Sequence, residues 1–193
     1  MKKIKFSFAF IFLTMIYHTV AQKSINMSLH NCFSAPIKYT VEGKLKKGIL
    51  IFINYNDVDM PALQYSDVYL LTKNSENTKT TSDSCIYTNI YNIEVSENSL
   101  YLALFKVGEG HPWIEIYDLQ ILISEQKQLL IATINPYPGY VNMLKWKGDF
   151  LIIESDVNLL LINENKDLAK TENFDNVKKF KFNIQDKKFS NYK

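Results

Sequence analysis

The stretch NSLYLALFKVGEGHPWIEIYDLQ, Asn98 to Gln120, decides the fold. Leu100 to Val107 is an apolar run. Gly108-Glu109-Gly110-His111-Pro112 is dense in turn formers. Trp113 to Leu119 then alternates as Trp-Ile-Glu-Ile-Tyr-Asp-Leu. A run, a glycine-rich turn and an alternating run make the pattern of a β-hairpin. The grammar extends outward on both sides. Ile93-Glu94-Val95 alternates before a turn at Ser96-Glu97-Asn98-Ser99, and Gln128 to Ile134 forms a run before Asn135-Pro136. That makes four successive strands joined by short turns. Further on, Tyr140 to Trp146 and Phe150 to Glu154 flank a tight turn at Lys147-Gly148-Asp149. Ser155-Asp156 is expected to turn, with a strand from Val157 to Ile162, a loop from Asn163 to Asn173 and a last strand from Val177 to Ile184. Upstream, Ile37 to Val41, Ile49 to Tyr55 and Val68 to Thr72 read as strands. Asn74 to Ser84 is polar, and Cys85 to Thr88 closes the set. The apolar stretches are short and rich in Ile, Val, Tyr and Phe. No helix is expected after Gln22.

Three strand starts are alike: Gly48-Ile49-Leu50-Ile51-Phe52, Ser99-Leu100-Tyr101-Leu102 and Asp149-Phe150-Leu151-Ile152. They recur about every fifty residues, and four strands per such period is the signature of propeller blades. Residues 37–185 thus resemble β-propeller blades, with Asn98–Gln120 like the second and third strands of one. The resemblance implies an all-β fold of antiparallel four-stranded meanders, propeller-like, with about three blades. No Trp-Asp dipeptide or Gly-Gly signal of a particular propeller family is present. The alternative is a two-sheet β-sandwich with similar local patterning.

The first residues speak of destination. Lys2, Lys3 and Lys5 precede an apolar stretch from Phe6 to Ile16, and Thr19-Val20-Ala21 offers small residues for cleavage. This is the three-part design of a secretory signal peptide. The apolar stretch is shorter than the roughly 20 residues a membrane-spanning helix needs. The expectation is a leader over residues 1–21, cleavage near Ala21-Gln22, a secreted or periplasmic product without a stable membrane span, and a single all-β domain over 22–193.

The 193 residues carry a formal net charge of +2. The three leader lysines account for it, so the rest of the chain is close to neutral. Every basic residue is Lys, and Arg is absent. Arg is the preferred side chain for bidentate phosphate and guanine contacts, so the composition argues against a nucleic-acid partner. Cys32 and Cys85 are expected to form a disulfide in an oxidising compartment.

Chemistry is sparse. There is no G-x-S-x-G elbow, H-E-x-x-H or phosphate-binding glycine loop. No cofactor is implied. Asn54, Asn56, Asp57 and Asp59 make an oxygen-rich run, but the glycine and distant glutamate of a calcium loop are missing, and a hairpin turn explains the composition. Glu109 and Glu115 would suit a carboxylate-dependent hydrolase if about 5–10 Å separated them. The better lead is aromatic. Pro136-Tyr137-Pro138-Gly139-Tyr140 presents two tyrosines, and His111 and Trp113 lie at another turn. Tyr and Trp on rigid loops contact sugars or proteins at low entropic cost. The leading expectation is an exported, non-enzymatic binding module that takes a protein or glycan ligand at Trp113, Tyr137, Tyr140 and His111. An exported hydrolase and a periplasmic inhibitor or immunity-type protein are the alternatives. The lysine-rich end, Lys178 to Lys193, blunts a sheet edge that could otherwise recruit a second chain into an oligomer.

Overall fold

The computed structural model of the protein describes residues 27–58, 64–72, 77–79, 86–87, 89–161 and 173–192. Three antiparallel sheets dominate it. The first contains β1 (Met27–Val41), β2 (Lys44–Asp57), β3 (Gln64–Thr72) and β4 (Asn77–Lys79), in that order, with β5 (Ile86–Tyr87) also paired to β3. The second runs β6 (Ile90–Val95), β7 (Tyr101–Gly108), β8 (His111–Asp118) and β9 (Leu130–Ile134). The third runs β10 (Val141–Lys147), β11 (Phe150–Val157), β12 (Asn173–Asn183) and β13 (Lys188–Asn191). All three are meanders.

Local chemistry sets the turns. Glu42 and Gly43 between β1 and β2 have φ of 51° and 73°, and Glu109 and Gly110 between β7 and β8 have 51° and 81°. Two positive φ values in a row match the right-handed twist of the flanking strands. The hairpin read from the sequence is therefore present, with Gly108 paired to His111.

The second sheet lies between the other two. Leu102 and Leu104 of β7 pack with Leu50, Phe52, Val68 and Leu70 of the first sheet. Ala103 of β7, with Ile114 and Ile116 of β8, packs with Val141, Met143, Leu151, Ile153, Phe180 and Phe182 of the third. A strand buried on both faces cannot alternate apolar with polar, which is why Leu100 to Val107 reads as a run. The first-sheet edge is closed by neighbours from the second. Ser99 Oγ accepts from Lys38 N at 3.1 Å, and Gln120 accepts from Thr40 N and donates to the Lys38 carbonyl, both at 3.3 Å. These bonds occupy polar groups that an edge strand leaves open.

Four expectations need correction. The two-sheet sandwich is replaced by three sheets. A helix is present, α1 (Leu119–Glu125), capped by Asp118, whose Oδ1 accepts from Ile121 N at 2.9 Å. It buries Leu119 and Leu122. Ser155-Asp156 does not turn. β11 runs through it, because β12 follows it as far as Val157 paired with Asn173, and a 3-10 turn (Leu159–Leu161) ends the segment. Finally, Cys32 is a free thiol. The order β1-β2-β3-β5 sets three interstrand spacings, about 14 Å, between Cys32 and the strand that begins just after Cys85. A disulfide needs Cα atoms within about 7 Å. Cys85 itself, the leader over 1–21 and Asp59 lie outside the described residues.

Candidate functional site

Two neighbouring features meet at the β7–β8 hairpin. The first is a polar cluster inside the interface between the first and second sheets. Lys106 pairs in register with Trp113, and Glu115 with Leu104. Odd positions of β8 and even positions of β7 share the face toward the first sheet, so Lys106, Trp113, Glu115 and Tyr117 converge there. The Glu115 carboxylate accepts from Lys106 Nζ and Tyr117 OH in two short contacts, and from Trp113 Nε1 at 3.0 Å. The Lys106 and Glu115 side chains are 6% and 17% exposed, so this is an ion pair largely withdrawn from water. Burial pushes the Glu115 carboxyl up. The hydrogen bonds from Lys106, Tyr117 and Trp113 and the Lys106 charge outweigh it, and the net shift is downward. Burial, then the hydrogen bond to Glu115 and its charge, raise the Tyr117 phenol.

This cluster fixes Trp113. Its ring lies under the Lys106 ammonium, 6.0 Å from Nζ to the ring centroid, and against Gly108, where an added Cβ would meet the ring at 3.0 Å. Trp113 is thus a half-buried support for the hairpin end.

The second feature is the loop from Asn135 to Tyr140, which leads from β9 into β10. Its rings reach the hairpin: His111 and Tyr137 meet edge to face with centroids 4.4 Å apart. Tyr137 is 52% exposed and Tyr140 40%. The loop backbone is pinned. Asn135 Oδ1 accepts from Tyr137 N at 3.1 Å, the Pro136 carbonyl from Gly139 N at 2.7 Å, and Asp156 Oδ1 from Tyr140 N at 2.6 Å. A Cβ on Gly139 would come within 2.0 Å of Val157 Cγ2, so side-chain-free backbone is needed there. Burial, with the nearby charges of Glu154 and Asp156, raises the Tyr140 phenol.

Of the aromatic residues singled out by sequence, His111, Tyr137 and Trp113 are gathered at one end of the second sheet. Tyr140 stands beyond them at the start of β10. Glu109 and Glu115 are not brought together. Glu109 is at the hairpin tip, and four residues of β8, about 13 Å, separate His111 from Glu115. Asn54 is not in a turn. It is fully buried in β2, where it donates to Asn31 Oδ1 at 2.5 Å and the Ile90 carbonyl at 3.3 Å, and accepts from Ser66 Oγ in a short contact. Among the described residues no group of three or more His, Cys, Asp or Glu side chains could hold a metal ion. Among them, too, no helix is long and apolar enough to cross a membrane.

The Lys106–Glu115 pair is what sequence reasoning missed. The available signal was a lysine inside an apolar run, opposite a glutamate inside an alternating strand. The chain matches no protein-family model and no curated protein sequence.

Proposed function

We propose that the protein is an exported, non-enzymatic interaction module built of propeller-like antiparallel sheets, which takes a glycan or protein ligand at the Tyr137–Tyr140 loop. One observation carries the reading. Two exposed tyrosines stand on a loop whose backbone is pinned at Tyr137, Gly139 and Tyr140, with the His111 ring buttressing Tyr137. A rigid aromatic pair gives contact area with little rotamer entropy left to lose. Trp113 contributes by holding the hairpin that carries His111. The propeller-like reading is supported by three successive antiparallel meanders, the second packed by one face on the first and by the other on the third. Glu115 has its oxygens occupied by three donors, which suits a structural anion better than a general acid.

The test is a glycan microarray and a cross-linking screen run in parallel on the wild type and on Tyr137→Ala plus Tyr140→Ala. Both rings are exposed, so the melting temperature should hold. Ligands that the wild type retains and the variant loses support the site. Ligands retained equally by both would overturn it.

A further inference from the structure

The outer face of the third sheet, turned away from the second, is basic and aromatic. Register assigns its residues. Phe150 pairs with Lys147 and Asn183, Ile152 with Lys145 and Lys181, and Glu154 with Asn142 and Lys179. Asn183 pairs onward with Lys188. Lys145, Lys147, Lys179, Lys181 and Lys188 therefore share one face, with Glu154 as their carboxylate neighbour in register. Glu154 is already matched, to Lys179 at 3.6 Å. The rings are part of the same surface. Lys181 Nζ lies 6.0 Å from the Phe150 centroid and 5.6 Å from that of Tyr192, and Lys147 Nζ lies 6.0 Å from Tyr192. Lys145, Lys147 and Lys188 are exposed, and Phe150 is 36% exposed. Ile152 between them is fully buried, as expected where lysine stems lie over an apolar side chain and keep their ammonium groups in water.

The same face continues to the tyrosine loop. Tyr140 and Asp156 flank the last pair of the β10–β11 ladder, Val141 with Ser155. Asp156 Oδ1 accepts from Tyr140 N, and Glu154 of this face is near enough for its charge to act on the Tyr140 phenol. From Phe150 to Asp156 is six residues of strand, about 20 Å. One end offers ammonium groups interleaved with ring faces, and the other offers the Tyr140 ring. We infer that this face binds an acidic polysaccharide, a chain of sugar rings bearing carboxylate or sulfate groups. Lysine ammonium groups act as point charges toward such anions, and Tyr and Phe rings stack on sugar faces. The lack of any Arg in the chain weighs against nucleic acid, whose phosphates favour bidentate arginine contacts. Asp156 is the unfavourable neighbour. It is held by Tyr140 N, and the anionic groups of the ligand belong at the lysine end.

The inference rests on the glycan side of the proposed function and narrows it. The test is calorimetric titration of the full chain with polygalacturonate, with neutral dextran, a single-stranded oligonucleotide and phosphatidylglycerol vesicles as comparison probes. Polygalacturonate should bind and dextran should not, and added salt should weaken binding. Lys145→Gln plus Lys147→Gln changes two exposed side chains and should weaken binding about tenfold, with an unchanged melting temperature. No binding, binding indifferent to these lysines, or tighter binding of the oligonucleotide or vesicles would overturn the inference. The two readings separate cleanly. If the lysine variant loses polygalacturonate while Tyr137→Ala plus Tyr140→Ala keeps every array ligand, the tyrosine loop is wrong and the basic face stands. If array ligands depend on the tyrosines but not on the lysines, the basic face is wrong and the loop stands.

Discussion

Lys106 and Glu115 sit diagonally across the β7–β8 hairpin and close an ion pair inside the interface between the first and second sheets. The carboxylate is also the common acceptor for Trp113 and Tyr117, so one anion orients a cation and two aromatic residues. Removing it leaves a buried ammonium without its partner, which costs more than the pair itself contributes. Glu115→Ala should lower unfolding free energy by about 3 kcal/mol, measured by urea denaturation. Lys106→Met combined with Glu115→Leu should recover most of that loss. If the double variant is no better than the single, desolvation is not the dominant cost.

The same carboxyl gives an acid limit. Its folded pKa lies below its unfolded value, so it contributes stability that is complete above the unfolded pKa of about 4.3. That contribution is lost as pH falls from there through the folded pKa. Glu94, raised by burial, works in the opposite sense. The difference between wild type and Glu115→Gln isolates the effect. Their stability gap should be widest at neutral pH and should shrink in the acid range, read from urea midpoints across a pH series.

Tyr117 sets a limit at the other end. Its phenol is raised in the fold, so its contribution is full below the unfolded pKa of about 10 and falls as pH rises above it. In an alkaline titration followed by phenolate absorbance, Tyr117→Phe should remove one late-titrating group. An unchanged titration curve would contradict the burial of that hydroxyl.

Gly139 is a packing limit. An added methyl would overlap Val157 Cγ2 and press on Asp156, the residue that pins Tyr140. Gly139→Ala should cost about 2 kcal/mol, the usual size of an overpacking strain. It should also weaken whatever ligand the tyrosine loop binds, in proportion to the loop's displacement.

Cys32→Ser tests the thiol. A free, exposed cysteine is dispensable to stability, and the melting temperature should stay within about 1 °C, the range of neutral surface changes. Loss of a bridge would lower stability by about 2–5 kcal/mol instead.

The hairpin at the centre of the chain was readable almost to the residue, because turn chemistry and strand patterning agree there. The sheet count was not. Whether Leu100 to Val107 is buried on one face or two depends on what packs against it, and that information lies about fifty residues away on either side. Pro36 within β1 also hid the length of that strand. Proline is tolerated because, among the described residues, β1 is an edge strand paired to β2 alone. Helix α1 escaped because Leu-Gln-Ile-Leu-Ile-Ser-Glu is short and isoleucine-rich, and its signal was the single capping aspartate. For the candidate site, aromatics on turns were legible as residue types. The contact between His111 and Tyr137, and the burial of Lys106, come from tertiary packing that no local window contains.

The meander order carries a consequence for how the molecule is made. Within each sheet, β5 apart, every strand after the first pairs with the one synthesised just before it. A nascent chain can therefore zip each hairpin as it emerges, without holding an unpaired strand in wait for a distant partner. Loop closures stay short, which speeds folding relative to sheets that pair across the whole chain. The strand order thus lets the sheets form one after another along the chain.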